Sequence, residues 1–250
     1  MPEEQRLLFG TDARLFDRVR PSYPAELIDD VVALVGSTAR AVDAGCGTGK
    51  ATVALAERGL EGVGVEPHPA MAEIASEKLA PFQGWRIDVS DFEDWQPRRS
   101  DLPVDLVTAA QAWHWIDRER GARQAERVLR RGGWLAIFGH RPSRRDTPLR
   151  RAIDAIHEEL APRPSVVEQA PRDRVPPGSA FGPPVEREYH GWDDYTAAQW
   201  IDVERTSSDK RMLPAETRDL LLERLEAAIN EHGGTYRHHW VCRLWAAERL

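Results

Sequence analysis

The stretch "AVDAGCGTGKAT", Ala41–Thr52, reads as a buried strand that breaks into a glycine-rich turn and then starts a helix. A dinucleotide-binding turn is spaced G-x-G-x-x-G, its third glycine letting helix and strand pack beside the pyrophosphate. Here the glycines are Gly45, Gly47 and Gly49, and Lys50 stands where that third glycine belongs. Asp43, two residues before the first glycine, puts a carboxylate where it would repel a pyrophosphate. The turn suits a ligand with a positive centre and no phosphate.

The next strands carry matching carboxylates. "GVGVE" (62–66) reads as a second strand ending in Glu66, and "WRIDV" (85–89) as a third carrying Asp88 near its end. A carboxylate at the end of the second strand accepts both ribose hydroxyls in nucleotide-binding α/β folds. Asp88 is placed to accept from an adenine amino group. Against this stands the plainer reading of polar strand ends beside a simple turn. Three acids at three successive strand ends favour S-adenosylmethionine, which carries a sulfonium, an ammonium and a zwitterionic tail.

Further along, "VDLVTAA" (104–110) is apolar as a central parallel strand should be. "DRERGARQAERVLRRGG" (117–133) predicts an amphipathic helix ending at a glycine pair, and "WLAIFG" (134–139) a fifth strand. Helices are expected near 23–35, from the glycine turn to about 58, and over 68–80. This alternation predicts a doubly wound, mostly parallel sheet with ligands at the carboxyl ends of its strands. Beyond it, residues 141–151 hold five arginines and residues 162–184 seven prolines, a stretch expected to be irregular. A strand (185–192), helices (195–206 and 214–234) and a last strand (236–250) complete the chain. The expected division is 1–36 as a lid and helix, 37–140 as the cofactor-binding core, and 141–250 as a substrate cap plus the final strands.

Composition narrows the function classes. The 250 residues carry 41% hydrophobic side chains, 30% charged ones and a net charge of −7. There is core enough for one large domain, no apolar run of membrane-spanning length and no overall attraction for nucleic acid. No secretory leader is visible, and two cysteines suggest no disulfide framework, so a cytoplasmic setting is expected. No spacing suggests a metal. His238 and His239 are neighbours on a strand and face opposite ways.

With these residues in view, the chain resembles the class I S-adenosylmethionine-dependent methyltransferases of the type 11 group. "VDAGCGTG", "VGVEPHPAM", "IDVSDF" and "VDLVTAAQAWHWID" are similar to its successive motifs, and "VLRRGGWLAIFG" to the helix and strand that follow. "FDRVRPSYP" (16–24), "QAWHW" (111–115) and "MLPAETRDLLLERLEAAINEHGG" resemble a trans-aconitate methyltransferase-like subgroup. The resemblance implies an α/β, Rossmann-like sheet of seven strands with an N-terminal helical lid and a C-terminal cap insertion. It implies that Asp43, Gly45 and Gly47 face the methionine part and Glu66 the ribose. Met71 would cover the adenine, Asp88 and the Val89 amide would read its edge, and Gln111 would lie near the tail. The lid nominates Phe16 and Arg20, with Phe16 standing where many relatives have tyrosine.

Methyl transfer is an in-line displacement in which the protein supplies alignment and desolvation. "QAWHWID" should border the transferred methyl. That nominates His114 as the catalytic residue, as a base or a substrate contact, with Trp113 and Trp115 as pocket walls. One of the two tryptophans is expected to be core. Trp192, Tyr195, Arg205 and Arg211 are the cap's substrate candidates, beside Trp200, and the arginine run at 141–151 is either a draw for acidic substrate or a solvated loop. The expected enzyme methylates a small molecule, at a carboxylate or other oxygen, as a monomer or homodimer. The rivals are a nucleic-acid or protein methyltransferase, a non-catalytic S-adenosylmethionine-binding protein and an NAD-dependent oxidoreductase. The first lacks its Asn/Asp-Pro-Pro-aromatic run after the fourth strand, and Asp43 and Lys50 oppose the last.

Overall fold

The structure is a computed structural model that describes residues 12–143, 145–162, 174–176 and 178–250. Its seven strands are β1 (Arg40–Ala44), β2 (Glu61–Glu66), β3 (Trp85–Val89), β4 (Val104–Ala110), β5 (Leu129–Pro142), β6 (Val185–Thr196) and β7 (Thr235–Glu248). They form one sheet in the order β3-β2-β1-β4-β5-β7-β6. The first five pair in parallel. β7 is antiparallel to β5: Gly132 N–H donates to Arg249 O, Arg249 N–H to Gly133 O, and Ser143 N–H to His239 O. Opposed ion pairs Arg243–Glu188 and Arg237–Asp194 set β6 antiparallel to β7. The sequence-predicted Rossmann-like, mostly parallel seven-stranded sheet is therefore present.

Helices α1 (Ala13–Val19) and α2 (Ala25–Ala33) precede β1, and α3 (Lys50–Ala56) and α4 (Pro69–Leu79) flank β2. α5 (Arg118–Val128) leads into β5, and α6 (Pro148–Leu160) follows it. α7 (Ala197–Arg205), α8 (Ser208–Arg211) and α9 (Ala215–Glu231) lie between β6 and β7.

Two elements differ from expectation. α5 begins on Asp117, whose carboxylate caps the Glu119 and Arg120 amides, but it ends at Val128, short of the glycine pair. Leu129 is buried and pairs with Val104, so strand burial outweighs the polar run that prolongs the helical pattern. Gly132 (φ +71) then takes a left-handed conformation, and the register shifts before Leu106 meets Trp134. The second difference is α6, which covers part of the arginine-rich run. Thr147 caps it, Pro148 opens it, Ile153 and Ile156 are buried, and Arg150 pairs with Asp154 one turn on. In the proline-rich stretch, residues 163–173 and 177 lie outside the described residues.

The described residues within the following ranges gather into two compact units. One collects 22–140, 170–189 and 242–250, with a core of Val42, Val63, Val65, Val107, Leu135 and Ile137 from the sheet. The other collects 1–21, 141–169 and 190–241, with a core of Ile153, Trp200, Ile201, Leu221, Leu225 and Ile229. No described helix is long and apolar enough to cross a membrane.

Candidate functional site

The glycine turn sits at the carboxyl end of β1, in the sheet unit. Gly45, Gly47 and Gly49 all have positive φ, at 68°, 57° and 78°. L side chains avoid this region, and glycine enters it without a steric cost. Their surroundings differ. A Cβ on Gly45 would stand 2.6 Å from the Ala112 methyl, and one on Gly49 3.1 Å from that of Ala75. A Cβ on Gly47 would meet nothing within 4 Å. The turn is packed shut on two sides and open at Gly47.

The turn's amides point into the protein. Gly45 and Cys46 N–H donate to Val65 O at 2.8 and 3.1 Å, and Gly49 N–H to Cys46 O at 2.9 Å. Gly47 N–H donates to Glu66 Oε2 at 2.8 Å. A phosphate-binding turn aims such groups at its ligand. Here the four amides are committed, which is the structural counterpart of the departure from the dinucleotide spacing.

Glu66 also accepts from His68 N–H, through Oε1 at 2.8 Å. Burial pushes its carboxyl up to about 7, against the lowering effect of the His68 and Gly47 amides. Two of its roughly four acceptor positions remain, enough for a pair of hydroxyls. Asp43 is wholly buried, its Oδ2 accepting from Thr52 Oγ1 at 2.6 Å and its Oδ1 from Thr108 Oγ1 at 2.8 Å. Burial raises it to about 6 while the two hydroxyls oppose the shift. With no exposed surface, Asp43 braces α3 against β4. Thr52 and Thr108 carry this brace and were not singled out by sequence; their signal was a hydroxyl at helix position three and one in the apolar later part of a strand.

At the end of β3, Asp88 is gripped by Arg86 Nε and Nη2 at 3.1 and 2.9 Å and by Trp95 Nε1 at 2.9 Å. Arg86 also holds Asp101. The clamp leaves Asp88 one further acceptor position. Val89 is exposed at the strand end, and Met71 is buried in α4.

After β4 the backbone turns sharply. Gln111 (φ 56) is the one non-glycine residue with positive φ among the described residues, and its amide donates to Phe138 O at 2.7 Å. Such strain persists where surrounding structure enforces it, and it concentrates at functional sites. Ala112, against Gly45, leads into a 3₁₀ turn over Trp113–Trp115. Trp113 is the core member, 1% exposed and so without a face for an acceptor. His114 is half-buried, its ring 5.0 Å from that of Trp115. The sheet unit thus holds Asp43, Gly45, Gly47, Glu66, Met71, Asp88, Val89, Gln111, His114 and Trp115, with Asp43, Glu66 and Val89 on one face of the sheet by register and Asp88 on the other.

The remaining candidates belong to the other unit, where the charge of Arg20 is felt by Tyr195 and Arg211. Arg20 stacks on Phe16, and its Nε and Nη2 donate to Thr206 Oγ1 and Ser207 Oγ at 2.9 and 3.1 Å. Trp192 is exposed, with Arg237 over its ring and His239 6.1 Å away. Tyr195 packs on buried Trp200, which also meets Tyr236 and His238. Arg205 pairs with Asp202, and Arg211 Nε donates to Arg205 O. Among the described residues no group of three or more His, Cys, Asp or Glu is placed to hold a metal.

Comparison with known proteins agrees with this geometry. The sequence pattern of the methyltransferase domain matches residues 42–137. An uncharacterized methyltransferase of Mycobacterium tuberculosis is 32% identical over 230 residues, covering 92% of this chain and 88% of the relative. The trans-aconitate 2-methyltransferase of Variovorax paradoxus is 34% identical over 162 residues, 64% of this chain and 58% of that one. A solved structure from Anaeromyxobacter dehalogenans, provisionally named a type II methyltransferase, superposes with a TM-score of 0.65 at 26% identity, covering 92% of this chain and 98% of that one. The chain belongs to the methyltransferases, as an enzyme of their class I, S-adenosylmethionine-dependent family.

Proposed function

We propose that this methyltransferase transfers a methyl group to an oxygen of a small, acidic acceptor, with the cofactor across the glycine turn and the acceptor beside His114. The observation that carries the cofactor placement is the turn itself: four amides committed to protein oxygens and one open face at Gly47. A phosphate does not find the amides of residues 45, 46, 47 and 49 free, whereas a thioether chain passes over the bare Cα. The carboxylate acceptors suit the rest of the ligand. Glu66 accepts the two ribose hydroxyls, Met71 and the Val89 strand end flank the adenine, and the field of Asp43 favours the ammonium.

The bound cofactor supplies a methyl whose leaving thioether is neutral and needs no acid. Alignment of the reacting pair contributes roughly 7–11 kcal/mol to such reactions. His114 holds the acceptor oxygen in line, and Trp115 keeps water from it. A carboxylate acceptor needs no proton removed, so His114 then acts as a donor; with a hydroxyl acceptor it takes the proton. The acidic-acceptor reading draws on the resemblance to the trans-aconitate enzyme. The test is transfer of labelled methyl to trans-aconitate and other small carboxylic acids, with RNA, DNA and protein in parallel. Label in a small ester supports the reading. Label only in a polymer, or in an amine or a carbon position, overturns it.

A further inference from the structure

Tyr23 lies just before α2, and nothing above gives it a role. Its ring meets Phe138 edge-on at 5.0 Å and stacks on His140 at 5.4 Å with 20° between planes. Phe138 and His140 share one face of β5, since side chains two apart point the same way. Through the parallel register, Thr108 on β4 and Asp43 on β1 share that face, and Asp43 bonds Thr108 there. Tyr23 therefore sits at the carboxyl edge of the sheet, on the Asp43 side. Burial, with Cys242 and Asp43 nearby, pushes its phenol up, so it stays a neutral donor. The hydroxyl makes no hydrogen bond to the described residues, although the ring is held on two sides.

An amino-acid tail brings two charges to this edge. The ammonium is drawn to the field of Asp43. The carboxylate needs a donor. The amides of residues 45, 46, 47 and 49 are bonded within the protein. His140 Nε2 faces Ser22 O at 3.0 Å, so that nitrogen carries its proton toward the backbone.

We propose that the Tyr23 hydroxyl donates a hydrogen bond to the carboxylate of the cofactor's methionine tail, with Phe138 and His140 fixing the ring's direction. This rests on placing the cofactor across the glycine turn. It also predicts which half of the ligand the residue reads.

The experiment is calorimetric titration of wild type and Tyr23→Phe with S-adenosylmethionine and with decarboxylated S-adenosylmethionine, which lacks only the carboxylate. Phenylalanine keeps both ring contacts, so the melting temperature should stay within a degree or two. The expected result is about ten-fold or greater weakening toward S-adenosylmethionine, the range for a hydrogen bond to a charged group, with binding of the decarboxylated ligand unchanged. Unaltered binding of both ligands, or equal weakening of both, overturns the proposal and leaves the site standing. A wild type that binds neither ligand overturns the site itself, and the proposal with it.

Discussion

The Glu66 carboxylate accepts the Gly47 amide at 2.8 Å, so the side chain that ends β2 fixes the most open point of the glycine turn. One group thereby shapes the turn and, in the proposed site, faces the ribose. Glu66→Gln keeps size and one acceptor but replaces the other with a donor, which opposes an N–H. The expected loss in S-adenosylhomocysteine affinity is about 1–3 kcal/mol, read by calorimetry. Unchanged affinity removes Glu66 from the site.

The same group predicts a pH dependence. Burial raises its carboxyl to about 7, above the ordinary carboxylate range. Hydroxyl donors require the ionised form, so cofactor affinity should rise as pH goes from 6 to 8. Glu66→Gln should flatten that rise. A wild-type affinity independent of pH over this span contradicts the assignment.

Much of the sheet and the turn was legible because the signals are local. β3 and β4 begin and end where hydrophobic runs meet polar breaks, and the glycine spacing marks the turn. The end of α5 was not legible. Its helical pattern runs on to Gly132, but Leu129 is claimed by pairing with Val104 at a distance in sequence. α6 was hidden by charge, since Arg150 and Arg151 suggest a solvated loop until Ile153 and Ile156 are seen to be buried together. In the site, spacing showed which carboxylates lie at strand ends but not their partners. Thr108 reaches Asp43 only through strand register, and Arg86 claims Asp88 from two residues away.

The three glycines should separate stability from binding. Gly45→Ala sets a methyl 2.6 Å from Ala112 in a left-handed backbone, and a clash with a packed loop costs stability. Gly47→Ala has the backbone strain alone, about 1–2 kcal/mol, because its methyl enters empty space. Gly45→Ala should therefore lower Tm more, while Gly47→Ala stays folded and loses S-adenosylhomocysteine binding. Full cofactor affinity in folded Gly47→Ala shows that the open face is not the ligand's path.

Asp43 should make the fold more stable in mild acid than at neutral pH. Its folded carboxyl is raised from 3.8 to about 6 by burial. Between those values the folded state holds more protons than the unfolded one, so stability falls as pH rises through the window. At 1.36 kcal/mol per unit the full effect is about 3 kcal/mol. Asp43→Asn cannot titrate, so its unfolding free energy should change less between pH 4 and pH 7 than that of wild type. Denaturant melts at the two pH values measure the difference. Equal slopes would mean that Thr52 and Thr108 hold the carboxylate ionised throughout.

His114 offers the sharpest division between binding and chemistry. It follows Ala112, which touches Gly45, so its turn is fixed beside the cofactor loop, yet its own ring packs on Trp115. Removing it should leave the glycine turn and Glu66 intact. His114→Ala is therefore expected to bind S-adenosylhomocysteine as wild type does. Its methyl transfer to an accepted acid should fall by about 10²–10⁴-fold if the ring moves a proton. The fall should be smaller and mostly in KM if the ring only holds the acceptor. A pH–rate profile tells the two apart, since a proton-transferring histidine leaves a limb near its own titration that the alanine variant loses. Full turnover in the variant would show that the acceptor lies elsewhere along the carboxyl edge of the sheet.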